Sequence, residues 1–328
     1  MNYDLREPSK ELDSTELGTT VAQTRPYGRR ERAVFMTTRH IRAAIGSNTG
    51  YHRTENQDRG YADHGIYLVC DGMGGGVGGQ QASAAVISRF QAAAEALHRS
   101  KKFIDSVLQA AQHDVLAIGK ELGGMAGTTI TGLIAPRNIS DDGDDGSYWE
   151  DPYWYVVNIG DSRTYHLTKT PDGSWDASSI THITRDHSKR QEVIDSGLMP
   201  ETIANQLIPR NIITQCLGAP EGIRPDYYAV ESRGRFIICS DGLHGEVDDE
   251  VIASVAAANP DPQDAVNALI GVALDAGGSD NVTVAVVDIH DDDQPAHYRW
   301  EGGKLSDDED LDTMSDGTLS NMHSVASN

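Results

Sequence analysis

The chain has 328 residues, with 50 acidic against 27 basic side chains and a formal charge of −23. That excess disfavours nonspecific binding to nucleic acid or to an anionic membrane, and no run approaches the roughly 20 apolar residues of a membrane span. Cys70, Cys216 and Cys239 are too scattered for a disulfide framework, so reduced thiols in a cytoplasmic protein are expected.

Residues 1–37 are polar and aperiodic, with a basic cluster at Arg25, Arg29, Arg30 and Arg32. They read as a flexible extension, a solvated tail more simply than a docking or autoregulatory arm, and 1–10 lacks the apolar core of a signal peptide. Residues 38–291 hold the periodic segments. Strands are predicted over 40–46 and 65–70, then helices over 80–98 and 103–122. Three strands follow, at 128–134, 154–159 and 163–167, and then helices at 188–196 and 200–208. Strands at 227–230 and 235–239, helices at 249–257 and 261–275, and a strand at 281–289 complete the domain. Strands in groups separated by paired helices predict an α+β layered sandwich rather than βαβ alternation. Residues 292–328, rich in Asp, Ser and Gly, read as an acidic disordered tail.

Four aspartates sit at the mouths of apolar strands. Asp71, Asp161 and Asp241 close theirs, whereas Asp280 opens one. If the last strand runs antiparallel to the others, all four gather at one end of a sheet. Converging carboxylates repel unless a cation neutralises them. The candidate ligands are all oxygen: Asp71, the Gly72 carbonyl, Asp161, Asp241 and Asp280, with Asp58 nearby. Such a set suits Mg²⁺ or Mn²⁺, which keep several waters; calcium is the alternative, but no D-x-D-x-D-G loop is present. Two such ions can share and activate a water. Arg53, five residues before Asp58, offers a guanidinium fork for an anionic tetrahedral substrate, or a surface salt bridge.

Two other motifs lead elsewhere. Gly74, Gly76 and Gly79 satisfy G-x-G-x-x-G, yet Asp71 would face a pyrophosphate and no strand ending in an acid follows at the expected distance. The turn instead lets Gly72 bend the backbone beside Asp71. Ser162 in Gly160-Asp-Ser lacks the G-x-S-x-G elbow and reads as a turn serine.

Seven blocks in order carry a resemblance: Arg53-Thr-Glu-Asn-Gln-Asp58, Val69-Cys-Asp-Gly-Met-Gly-Gly75, Gly127-Thr-Thr129, Gly160-Asp-Ser-Arg163, Thr184-Arg-Asp-His-Ser188, Ser240-Asp-Gly-Leu243 and Gly278-Ser-Asp-Asn-Val-Thr283. Together they resemble the metal-dependent type 2C (PPM) serine/threonine protein phosphatases, particularly the bacterial branch, over roughly residues 40 to 290. The resemblance implies a central antiparallel β-sandwich flanked by α-helices. It implies that Asp71 bridges two core Mn²⁺ or Mg²⁺ ions, that Asp241 and Asp280 complete one site, and that the Gly72 carbonyl serves the other. Asp58 would act through a coordinated water, Asp161 with Asp241 would hold a third, weaker ion, and Arg53 would grip the substrate phosphate. Two departures matter. Many members carry Glu where Gln57 stands, so the second ion loses a negative charge. Eukaryotic members place a His at the Met73 position to protonate the leaving alkoxide, which Met cannot do; His187 matches a structural position.

The expected reaction is hydrolysis of phosphoserine and phosphothreonine in proteins by a water bridged between two Mg or Mn ions, with no phosphoenzyme. Two rivals are a noncatalytic pseudophosphatase that binds phosphoproteins and a phosphatase for antagonists of sigma factors, which would need a sensor domain. The expected partner is a cytoplasmic Ser/Thr kinase or its substrates, with the enzyme a monomer. The acidic insert at 140–151 reads as a solvated hairpin or, alternatively, a loop selecting basic phosphopeptides.

Overall fold

Runs of β-branched and aromatic residues, buried along their whole length, form the centre of the molecule. The computed structural model describes residues 39–74, 77–137, 151–291 and 299–320. The expected extension at 1–37, nearly all of the 140–151 insert and Gly76 lie outside them.

The chain begins with β1 (Arg39–Asn48), β2 (Arg59–Asp63), β3 (Ile66–Cys70) and β4 (Gly72–Met73), then α1 (Val77–Ala93) and α2 (Lys101–Glu121). Four strands follow, β5 (Gly127–Thr128), β6 (Ile130–Ile134), β7 (Tyr153–Ile159) and β8 (Arg163–Leu167), with the short β9 (Thr181–His182) after them. Helices α3 (Lys189–Asp195) and α4 (Glu201–Leu207) lead to β10 (Asp226–Glu231) and β11 (Gly234–Cys239). Next come α5 (Asp241–His244), α6 (Asp249–Ala258), α7 (Pro262–Ala276), β12 (Val282–Asp291), β13 (Gly302–Lys304) and α8 (Asp316–Ser320).

One sheet has the order β1-β12-β11-β8-β9 and the other β13-β10-β7-β6-β3-β2, with β4 and β5 as a separate ribbon. All pairings are antiparallel. Tyr67, Val69, Leu133 and Val156 of the second sheet meet Phe236, Ile238, Ala285 and Val287 of the first in a shared core. The outer face of the second sheet packs on Val86 and Phe90 of α1 and Leu108 and Val115 of α2. The outer face of the first packs on Ile252 of α6 and Leu269 of α7. Burial on both faces explains why these strands read as continuous apolar runs. The predicted α+β sandwich flanked by helices is the architecture observed.

Two expectations need correction. The first helix stops at Ala93, not 98, because the Arg99 guanidinium takes the Ala94 carbonyl and the Arg99 N–H bonds to Pro136 O at 2.6 Å. Those partners turn the chain back toward the sheet edge. The described part of the acidic tail is ordered: β13 pairs with β10, and Trp300 and Leu305 are buried. Asp310 accepts the Lys101 N–H at the start of α2 and a hydrogen bond from the Tyr155 hydroxyl. A few apolar anchors and one helix cap hold a segment whose average composition reads as solvated.

Candidate metal centre

Strand direction brings the aspartates together. β11 and β12 are antiparallel, so Asp241 after one and Asp280 before the other share an end of the first sheet. β3 and β7 both run antiparallel to β6, so Asp71 and Asp161 leave the second sheet at a common end. Asp58 precedes β2, the antiparallel neighbour of β3. Burial, then the neighbouring charges of Asp58, Asp241, Asp161 and Asp280, hold the Asp71 carboxyl well above the usual carboxylate range.

Short polar side chains fix this end of the sandwich. The Ser240 hydroxyl donates to Asp58 Oδ2 at 2.7 Å and accepts the Thr283 N–H at 2.9 Å, tying Asp58 to the first sheet. Thr129 Oγ1 accepts the Asp71 N–H at 2.9 Å and shares a 2.7 Å hydrogen bond with Ser162 Oγ, joining the ends of β3 and β7. Asn281 Oδ1 accepts the Gln57 N–H at 2.8 Å, while its amide donates to Thr49 O and Glu55 O, so it pins the loop that carries Arg53. At Gly72 a Cβ would lie 2.5 Å from Gln57 O, so only glycine permits this loop to approach. Sequence reading quoted Thr129, Ser162, Ser240, Asn281 and Thr283 within motifs but gave only Ser162 a part, a turn serine. A hydroxyl or amide inside an apolar strand end was their signal, since a buried polar group there needs a partner.

The electrostatics favour a cation. Burial pushes Asp58 up to about 7 against the opposing Ser240 and Thr283 hydroxyls. Burial, with Asp241 next, pushes Asp161 up to about 8. Burial, then Asp280, raises Asp241, against the opposing influence of Asp71. Oδ1 of Asp58, Asp161 and Asp241 is buried with no hydrogen-bond partner among the described residues. Buried carboxylate oxygens left unpaired cost free energy that a hard divalent ion with its waters would offset. The donor set is all oxygen, so the residues fit Mg²⁺ or Mn²⁺.

The expected triad of Asp71, Asp241 and Asp280 is not preassembled. No group of three His, Cys, Asp or Glu side chains among the described residues is placed to hold one ion. The Asp280 carboxylate instead pairs with Arg53 Nη2 at 2.7 Å. Arg53, Asp71, Gly72, Asp241 and Asp280 nevertheless line one cavity of about 670 Å³, with Met73 in its wall. Asp161 faces a second cavity of about 490 Å³ that meets the first at Asp241.

The neighbouring groups are occupied with structural work. Arg163 holds Asp186 in a two-point pair at 2.9 and 2.7 Å. His187 accepts the Gly160 N–H at 3.2 Å. Burial drives His182 down to about 4 and holds His244 well below its ordinary value, so neither is an imidazolium acid at neutral pH, and His244 Nε2 is engaged with Asp161 O at 3.0 Å. All three cysteine thiols are pushed up by burial, and Ser162 is buried against Thr129. No activated side-chain nucleophile stands beside the carboxylates among the described residues. β4 and its pairing with β5 also separate Asp71 from α1, unlike the direct strand-to-helix turn of a dinucleotide site.

No family model matches the chain. It is 31% identical over 285 residues to the serine/threonine protein phosphatase PstP of Mycobacterium tuberculosis, a match that covers 84% of this chain and 50% of that protein. The chain thus spans about half the length of this curated relative. Among solved structures, the PPM Ser-Thr phosphatase MsPP from Mycobacterium smegmatis, in complex with cacodylate, is 33% identical with a TM-score of 0.60 and is covered to 97%, against 75% of this chain. The catalytic domain of PstP in complex with two manganese ions is 28% identical with a TM-score of 0.62, covering 77% of this chain and 99% of that one. Sandwich, carboxylate end and near-complete coverage of a relative a third identical lead to one placement: the chain belongs to the bacterial PPM family of serine/threonine phosphatases.

Proposed function

We propose that this protein hydrolyses phosphoserine and phosphothreonine in phosphorylated proteins, with direct attack by water and no phosphoenzyme. The observation that carries this reading is the set of buried, partnerless carboxylate oxygens on Asp58, Asp161 and Asp241, of which Asp241 shares a cavity with the Arg53 guanidinium. Asp71, Asp241, Asp280 and the Gly72 carbonyl are the groups that would hold two Mn²⁺ or Mg²⁺ ions, Asp58 through a water, with Asp161 and Asp241 for a third. Two divalent ions supply an activated water and offset phosphoryl charge when bound. The PstP structure with two manganese ions and the MsPP structure with cacodylate, a tetrahedral oxyanion, support the assignment.

The chain's own residues then divide the work. Arg53, half exposed at the cavity mouth, is free to turn from Asp280 to two phosphate oxygens. Ser240, Thr283 and Asn281 hold Asp58 and the Arg53 loop so that the site is ordered before substrate arrives. Met73 offers no proton, so protonation of the leaving alkoxide falls to solvent within the site. The substrates fitting this reading are phosphoproteins made by a cytoplasmic Ser/Thr kinase, or that kinase itself, with the phosphatase a cytoplasmic monomer. No helix among the described residues is long and apolar enough to cross a membrane.

The test is turnover of p-nitrophenyl phosphate and of a phosphothreonine peptide with Mn²⁺ or Mg²⁺. Activity that is lost with chelator, and in Asp71→Asn and Asp241→Asn, is expected. Turnover surviving both treatments would reject the two-metal reading, and metal binding without turnover would favour a pseudophosphatase.

A further inference from the structure

A continuous set of contacts runs from the C-terminal segment to the corner that carries Asp161. Lys304, the last residue of β13, places Nζ 2.6 Å from Asp226 Oδ2. The same oxygen lies 3.3 Å from His187 Nε2. His187 then holds Gly160 on both sides: its Nδ1 accepts the Gly160 N–H at 3.2 Å, and its own N–H donates to Gly160 O at 2.8 Å. Because Nδ1 accepts, the ring hydrogen sits on Nε2 and points to Asp226.

Gly160 has little freedom of its own. Its φ is +113°, and a Cβ there would lie 2.5 Å from Thr129 Cγ2. Thr129 in turn receives the Asp71 N–H. Gly160 immediately precedes Asp161, whose Oδ1 is buried without a partner among the described residues. Small rotations of the Gly160 peptide therefore move the Asp161 carboxylate against a packed wall.

We propose that the C-terminal strap is a positioning element of the catalytic centre: Lys304, through Asp226, sets the His187 ring and thereby the Gly160–Asp161 corner. The Tyr228 hydroxyl donates to the same Asp226 oxygen only at 3.4 Å, so without Lys304 that carboxylate loses its shortest contact and the ring loses a fixed acceptor. Its effect on turnover rests on the hydrolytic role proposed for Asp161; its effect on the backbone does not. Lys304 is half exposed, so its own contribution is modest, whereas Asp226 and His187 are shielded.

The test is amide hydrogen exchange on the full chain, read at Gly160, together with steady-state kinetics. Lys304→Met should speed Gly160 exchange about two- to fivefold, and Asp226→Asn by roughly tenfold. The double variant should exchange no faster than Asp226→Asn alone, because the contacts act in series. Lys304→Arg should restore slow exchange. In the Met and Asn variants kcat for p-nitrophenyl phosphate should fall with exchange protection while KM stays unchanged. Unchanged Gly160 exchange in both single variants overturns the proposal, as does an additive double variant. Faster exchange throughout β10 and β13 also overturns it, since the strap would then be merely unpaired. Absence of turnover in the unmutated chain would overturn the hydrolytic reading and leave the exchange result to judge the strap.

Discussion

Arg53 Nη2 and Asp280 Oδ2 pair at 2.7 Å across the mouth of the larger cavity. The proposed phosphate ligand and a proposed metal ligand thus neutralise one another, and Asp280 is the largest cause holding the Arg53 guanidinium above its ordinary value. A cation at Asp280 and a phosphate at Arg53 would each replace the partner that the other removes, which couples the two binding events.

That coupling gives opposite expectations for one variant. Arg53→Ala should raise KM for a phosphopeptide by about 10- to 100-fold, the size of a lost charge-assisted pair. Its Mn²⁺ affinity, measured by calorimetry, should be unchanged or tighter, because Asp280 is released. Weaker Mn²⁺ binding in this variant would show that the guanidinium supports the cluster rather than competing with it.

Asp71 receives charge from Asp58, Asp241, Asp161 and Asp280 at once. Asp71→Asn keeps the shape but removes the central anion, and kcat should drop by at least roughly 10²–10³-fold. Circular dichroism should remain that of the parent. A variant within threefold of the parent rate would remove Asp71 from the chemistry.

The carboxyls also predict how metal-free stability depends on pH. Asp161 keeps its proton to about 8 and Asp58 to about 7 in the native state, whereas both release it near 4 when unfolded. Between those limits the native state binds more protons, so stability falls as pH rises through this window. With chelator present, Tm should be lower at pH 8.5 than at pH 5.5 by at least about 2–4 °C. Asp161→Asn should flatten the slope, and Mn²⁺ should raise Tm more at the higher pH. A Tm independent of pH in the parent would contradict the burial of these charges.

Trp300 anchors the strap. It is 6% exposed, stacks on His166 with ring centroids 4.0 Å apart, and donates its indole N–H to Glu231 O at 3.1 Å. Trp300→Ala should cost about 3–5 kcal/mol in urea unfolding. A loss below roughly 1 kcal/mol would return the segment to the solvated tail that its composition suggests.

Much of this was legible in the chain itself. Continuous apolar runs such as Ile66–Cys70 and residues 153–157 mark strands buried on both faces, because no polar residue interrupts a surface that never meets water. An aspartate at the mouth of each run marked the chemistry, since an anion is costly there without a counter-charge. The order of seven motifs identified the family. What averages into composition hides the anchors: residues 299–320 are acidic overall, yet a few apolar side chains, Trp300 and Leu305 foremost, and one cap decide their fate.

Other features depend on which distant groups become neighbours, and no local pattern encodes that. Ser240 reaching Asp58 across 182 positions, Asn281 pinning the Arg53 loop, and Asp280 turning to Arg53 rather than into a ready triad all follow from the meeting of two sheets. So does the path from Lys304 through Asp226 and His187 to Gly160. Sequence determined which residues could bear charge at the sandwich end; tertiary packing decided which of those charges lie buried, paired or exposed, because burial and partner geometry set the free energy of an ion.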